Sequence, residues 1–272
     1  MSVPSLRRVV ITGMGAISPL GVGAEALWQG LREGRSGIGP LRHPDAERLK
    51  LKVAAQVPAS FDPAANIDPR TLPLLDRTSE FALHAAREAI SQSGIDFSQP
   101  ALGLRTAVVV DTGVGGETTQ DEQSRRLYAE DAQRTHPLTI VRLMTNASAS
   151  QISIAYGLRG PTFAVASACA SANHAIIQAA QMIRFGLADA AVTGGTEACL
   201  TFGAIRAWEA MRVLADDTCR PFSANRRGLV LGEGAGIFVL ESMEHAQARG
   251  ATILAELAGS GMTADATDIV MP

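Results

Sequence analysis

The sequence predicts an α/β fold built on a mixed five-stranded sheet with helices on both faces. Three observations carry this. Short β-branched apolar runs recur along the chain, helical patterns separate them, and glycines punctuate the junctions. Strands that alternate with helices argue for a largely parallel or mixed sheet, covered on both sides.

The first strand is expected at residues 8–12, closed by Gly13 and Gly15. The second, 106–110, runs into Gly113, Gly115 and Gly116. Gly160-Pro161 introduces a third at 162–166, and Gly194-Gly195 ends a fourth at 190–193. A fifth covers 236–240. Helical patterns fill 24–33, 79–93, 141–156, 171–185 and 242–249.

Residues 35–73 differ. Pro40, Pro44, Pro58, Pro63 and Pro69 punctuate them, which predicts an irregular surface excursion around one short strand. Residues 117–137 are polar and charged, as suits a solvent-facing helical insertion. The chain therefore reads as one unit over 1–250. Residues 251–272 read as the truncated start of a second half: 252–257 open a strand with nothing after it to pair or cover it.

Composition narrows the class. The chain is 46% hydrophobic and 19% charged with 26 glycines, which excludes disorder and suits an enzyme with much buried sheet. Aromatics are only 4%, so Ala, Val, Ile and Leu must fill the core. A net charge of -3, with no block of Lys and Arg, offers no field for nucleic acid. No apolar run reaches the roughly 18 residues of a membrane span. The first residues lack the apolar stretch of a signal peptide, and a cytoplasmic setting is expected. Cys169, Cys199 and Cys219 are irregularly spaced, so neither a disulfide framework nor a metal cluster is indicated.

The most suggestive segment is Phe163-Ala-Val-Ala-Ser-Ala-Cys-Ala-Ser171. A buried strand runs into a helix, with Cys169 at the junction between small neighbours. Unpaired N–H groups at a helix amino terminus favour a thiolate and can hold an oxyanion. Cys169 is thus either a nucleophile or a small core residue, since free cysteine is often buried. Cys199 and Cys219 lack this setting and read as structural. His174 lies five helical residues on, about 140° around the axis, so its side chain should diverge from the thiol. His43, His84, His136 and His245 have no partner motif.

Several motifs resemble those of the β-ketoacyl-(acyl carrier protein) synthases. They are Val9-Val-Ile-Thr-Gly-Met-Gly15, Gly157-Leu-Arg-Gly-Pro161, Ser167-Ala-Cys-Ala-Ser171 and Gly194-Gly-Thr-Glu197. Cys219-Arg-Pro-Phe-Ser223, Leu231-Gly-Glu-Gly-Ala-Gly236 and Glu244-His-Ala-Gln-Ala-Arg-Gly250 follow in the family's order. Ser171-Ala-Asn-His-Ala175 and Trp208-Glu-Ala-Met-Arg212 look closest to the nodulation-type ketosynthases of the type II branch.

The resemblance implies the amino-terminal half of a thiolase-like fold. It implies that Cys169 accepts an acyl chain as a thioester, and that malonyl-carrier protein is then decarboxylated and condensed with it. Val114 matches the position that gates the acyl pocket, and Trp208 stands near that pocket. No cofactor is implied, because the substrates ride on the phosphopantetheine of acyl carrier protein. A homodimer is implied, with the 162–166 strand pairing with its twofold mate, or a heterodimer with a ketosynthase-like partner. The histidines and lysine that serve decarboxylation belong, by resemblance, to a second half that these 272 residues do not contain. Near the end, Val270 stands where relatives carry a hydroxyl that would touch pantetheine.

Two alternatives stand beside this. One is a non-catalytic chain-length factor, which would usually lack the nucleophile. The other is a dinucleotide-binding protein, suggested by Gly13-Met-Gly15 after the first strand, although the third glycine of that fingerprint is missing.

Overall fold

The computed structural model describes residues 6–268. The chain opens with β1 (Val9–Ser18), β2 (Gly21–Val22) and α1 (Ala24–Arg32), then β3 (Gly39–Pro40) and β4 (Val53–Ala54). Next come α2 (Arg77–Ser93), α3 (Pro100–Leu104), β5 (Thr106–Asp111), α4 (Glu117–Tyr128), α5 (Thr139–Leu143) and α6 (Ala147–Tyr156). β6 (Thr162–Phe163), α7 (Ser171–Arg184), β7 (Ala190–Ala198) and α8 (Phe202–Met211) follow. β8 (Glu233–Ser242), α9 (Met243–Ala248) and β9 (Ala255–Glu256) complete the described elements.

The main sheet runs β2-β1-β8-β7-β5-β6, with β9 also on β1. It is mixed: β5 is parallel to β6 and β7, whereas β8 is antiparallel to β1 and β7. It has seven strands rather than five. β2 is a two-residue strand on β1, too short to show any periodicity, and β9 falls within the strand read at 252–257. Residues 252–257 are therefore not left unpaired, because Ala255 and Glu256 pair with Ile11 and Val10.

Helices cover both faces, as expected. Val108 and Val110 of β5 point to the side where Ala86 and Ala89 of α2 and Ile152 of α6 pack. Ala107 and Val109 point to the opposite side, against Ala175, Ala179 and Ile183 of α7. Period-2 alternation in a strand sandwiched between helices thus yields a wholly buried run. α7 buries this one face, while Ile176 and Met182 are only partly covered, so its apolar residues are not enclosed on every side.

Several boundaries shift for physical reasons. Gly13 and Gly15 do not close β1 but lie within it, where α2 rests directly on the strand. A Cβ at either position would stand 2.0 Å from a carbonyl oxygen, that of Ala89 or Ala85. Gly194 also sits inside its strand, with φ +146 and no room for a Cβ against the Gly236 carbonyl. The helix expected at 141–156 breaks at Met144, which is extended, giving α5 and α6. β6 ends at Phe163 because the Val165 N–H donates to the Asp111 carboxylate instead of a neighbouring strand.

The 35–73 segment is more than a surface excursion. β3 and β4 pair, and Leu49, Leu51, Val57 and Ile67 are buried. Leu49 and Leu51 form a small core with Ile205 of α8, a helix the sequence pattern did not reveal. The 117–137 insertion does carry a helix, α4. Asp76 pins it, capping α2 through Thr78 and accepting from Thr119 N–H and Oγ1 at 2.7 Å.

Candidate active site

Cys169 sits in a single 3-10 turn, Ala168–Ala170, that leads straight into α7. The turn is held from both sides by Ser171. Its Oγ accepts the Ser167 N–H at 2.9 Å and donates to the Ala168 carbonyl at 2.6 Å. Ala168 is left-handed, with φ +50, a conformation costing an L-residue about 1–2 kcal/mol. Strain of this kind, immediately before the thiol, is characteristic of sites where a side chain must be presented rather than packed. Cys169 is exposed among the described residues.

His174 Nδ1 lies 2.7 Å from Ser167 Oγ, which ties the ring to the start of the turn that carries Cys169. Asp111 ends β5 beside it; Oδ1 receives the Val165 N–H and Oδ2 is buried without a hydrogen-bond partner. Burial raises the Asp111 carboxyl above the usual carboxylate range.

The thiol opens on a cleft of about 530 Å³ whose walls are largely apolar. Val114 and Trp208 both line it, so the three residues singled out from sequence come together in one place. Val114 is 53% exposed at the cleft. Trp208 is half-buried: one side faces the cleft, and the other packs on the core formed by Leu49, Leu51 and Ile205. α8 is fixed there by Glu209, whose carboxylate accepts the Lys50 and Leu51 N–H groups at 2.6 and 2.9 Å.

Two cleft residues escaped sequence reasoning. Cys199 faces the cleft; burial first, and the Glu197 carboxylate second, push its thiol up to about 12. Glu197 also lines the cleft, and burial raises its carboxyl. Its oxygens accept Thr112 Oγ1–H at 2.9 Å and the Gly113 N–H at 2.7 Å. The Gly194-Gly-Thr-Glu197 motif flagged the strand, but not what its carboxylate holds. A larger hollow of about 700 Å³ lies elsewhere, lined by Arg42, Arg125 and the mutually paired Arg77 and Glu233. Cys169 is not part of it.

Among the described residues no group of three His, Cys, Asp or Glu side chains could hold a metal ion, and no helix is long and apolar enough to cross a membrane. Gly13 and Gly15 lie mid-strand under α2, with β2 following β1, so the strand-turn-helix phosphate cradle of a dinucleotide site is not formed there.

Residues 6–246 match the family model for the amino-terminal domain of β-ketoacyl synthase. The chain belongs to the β-ketoacyl synthase family. Nodulation protein E of Rhizobium meliloti is 50% identical over 266 residues, 98% of this chain and 65% of that protein. The 3-oxoacyl-(acyl-carrier-protein) synthase 2 of Staphylococcus aureus is 38% identical over 271 residues, again 65% of its length. The chain thus spans about two thirds of these ketosynthase relatives, their amino-terminal part. Among solved structures, a β-ketoacyl synthase from Burkholderia phymatum superposes with a TM-score of 0.87 at 31% identity, covering 98% of this chain and 66% of that one. The ishigamide ketosynthase/chain length factor gives 0.83 at 35% identity, covering 92% and 62%. A type II PKS acyl-carrier protein in complex with its ketosynthase gives 0.76 at 29%, covering 93% and 62%. The fold is that of the thiolase-like ketosynthases. The Val270 position lies outside the described residues.

Proposed function

We propose that this chain carries the acyl-accepting machinery of a β-ketoacyl-(acyl carrier protein) synthase. Cys169 Sγ attacks the carbonyl carbon of an acyl thioester carried on the phosphopantetheine of acyl carrier protein. The new C–S bond forms as the pantetheine thiol leaves and takes up a proton. The Cys169 N–H, at the amino end of α7, donates to the developing oxyanion. In the second step malonyl-carrier protein loses carbon dioxide, and its carbanion attacks the acyl carbonyl carbon. That releases 3-oxoacyl-carrier protein and restores Cys169. Of these steps, acyl acceptance is the one whose groups this chain supplies. Condensation is proposed for the synthase type as a whole.

One observation carries the reading: an exposed thiol on a strained turn opens on an apolar cleft that also holds Val114 and Trp208. Such a cleft suits an alkyl chain, with Val114 gating its entry and Trp208 limiting its reach. Delivery by acyl carrier protein is supported by the solved ketosynthase that is bound to one. No cofactor is invoked.

A homodimer through the β6 edge of the sheet belongs to the same proposal, and a ketosynthase-like partner is its alternative, as in the ketosynthase/chain length factor pair. Ala149 and Ser148 of α6 are buried within the chain, Ser148 against Ser79 of α2, so that helix presents neither to a partner.

The test is to mix the purified protein with acyl-carrier protein and follow the free carrier thiol. A burst stoichiometric with protein supports acyl acceptance. No burst would place the chain with the non-catalytic partners instead.

A further inference from the structure

Val114 sits on a loop that is tied down at both ends. On its far side, Gly116 N–H donates to the Leu143 carbonyl at 3.0 Å, and Gly115, at φ +86, has no room for a Cβ against that same oxygen. On its near side the only charged anchor among the described contacts is Glu197, from the end of β7. One oxygen of Glu197 accepts the Gly113 N–H at 2.7 Å. The other accepts Thr112 Oγ1–H at 2.9 Å, and that hydroxyl in turn accepts the Gly115 N–H at 3.1 Å. A single carboxylate therefore fixes the backbone immediately before and, through one hydroxyl, immediately after Val114. A Cβ at Gly113 would come within ordinary contact of the Ala168 carbonyl, so the loop runs alongside the Cys169 turn.

We infer that Glu197 is a positioning residue for acyl-chain selection: it holds Val114 at a fixed depth in the cleft and so sets how long a chain reaches Cys169. This rests on the reading of the cleft as the acyl site. Hydrogen bonds to a charged acceptor are the strong ones, and a loop held by two of them keeps one conformation. A gate residue on an untied loop would yield to chains of any length. On a clamped loop it discriminates.

The experiment uses the purified protein and a series of N-alkylmaleimides, from ethyl to dodecyl. Each is scored by its rate at Cys169, with the adduct located by peptide mapping and the rate divided by that of iodoacetamide. In the wild type this ratio should break at a definite chain length. Glu197→Gln should flatten the break by about fivefold or more, the size expected for losing one such hydrogen bond. Thr112→Val should flatten it in the same direction, and Thr112→Ser, which keeps the hydroxyl, should restore it. Thermal unfolding of each variant identifies loss of fold, and the Thr112 pair decides the matter if Glu197→Gln does not fold. Val114→Ala separates the two levels of the account. A profile that shifts with Val114→Ala but not with Glu197→Gln or Thr112→Val overturns the clamp and leaves the cleft standing. A profile that Val114→Ala does not move overturns the acyl-cleft reading, and the clamp with it.

Discussion

Ser171 Oγ donates to the Ala168 carbonyl at 2.6 Å and, in the same position, accepts the Ser167 N–H at 2.9 Å. One hydroxyl thereby closes the turn that presents Cys169, on both sides of a left-handed alanine. Ser171→Ala removes both side-chain hydrogen bonds from this part-buried turn, while the Ala168 carbonyl keeps the residue-171 N–H. Unfolding free energy should fall by about 0.5–1.5 kcal/mol, measured by denaturant titration. Cys169 alkylation should slow at the same time. Unchanged stability and rate would mean that the turn holds itself.

The two cleft cysteines should behave in opposite ways. Burial and the Glu197 carboxylate push the Cys199 thiol up to about 12, so at pH 8 almost none of it is thiolate. Iodoacetamide at that pH should modify the exposed Cys169 and Cys219 while leaving Cys199 largely intact until the protein is denatured. Site-resolved mass spectrometry distinguishes the three. Modification of Cys199 in the native state at a rate like that of Cys169 would contradict the buried setting.

How much of this was legible in the sequence depended on whether local pattern or tertiary contact decided each feature. The Cys169 turn was legible because a β-branched strand, small residues and a helix follow one another directly. The central strands were legible because Val108 and Val110 alternate with Ala107 and Val109. Gly13 and Gly15 misled, since a glycine that admits a helix from elsewhere looks, in sequence, like one that ends a strand. β6 proved short because Asp111, some fifty residues away, takes the Val165 amide. The burial of Leu49 and Leu51 depended on α8, which lies far along the chain. Glu197 was visible as a motif residue, but its grip on the Val114 loop exists only once β5 and β7 pair.

Asp189 joins three strand starts. It accepts from Arg105, just before β5, and from Arg7, just before β1, while itself leading into β7. The Arg105 guanidinium, with Arg7 second, holds its carboxyl at about 2. An unfolded aspartate titrates near 3.9. The folded value is the lower one, so the stability it contributes is complete above about pH 4 and is lost as the pH falls through about 2. Asp189→Asn should therefore lower Tm at pH 7, and the gap to wild type should close on acidification through that window. A gap that persists unchanged to pH 2 would mean that the contribution is not ionic. The exposed share of the pair limits its size.

Acyl-enzyme mapping reads directly whether Cys169 accepts the acyl chain. The purified protein is incubated with acyl-carrier protein, digested, and each cysteine peptide is weighed. One acyl group is expected, on the Cys169 peptide, released by hydroxylamine as a thioester and absent from Cys169→Ala. An acyl group on Cys199 or Cys219, or none on any cysteine while the carrier protein keeps its chain, would contradict it.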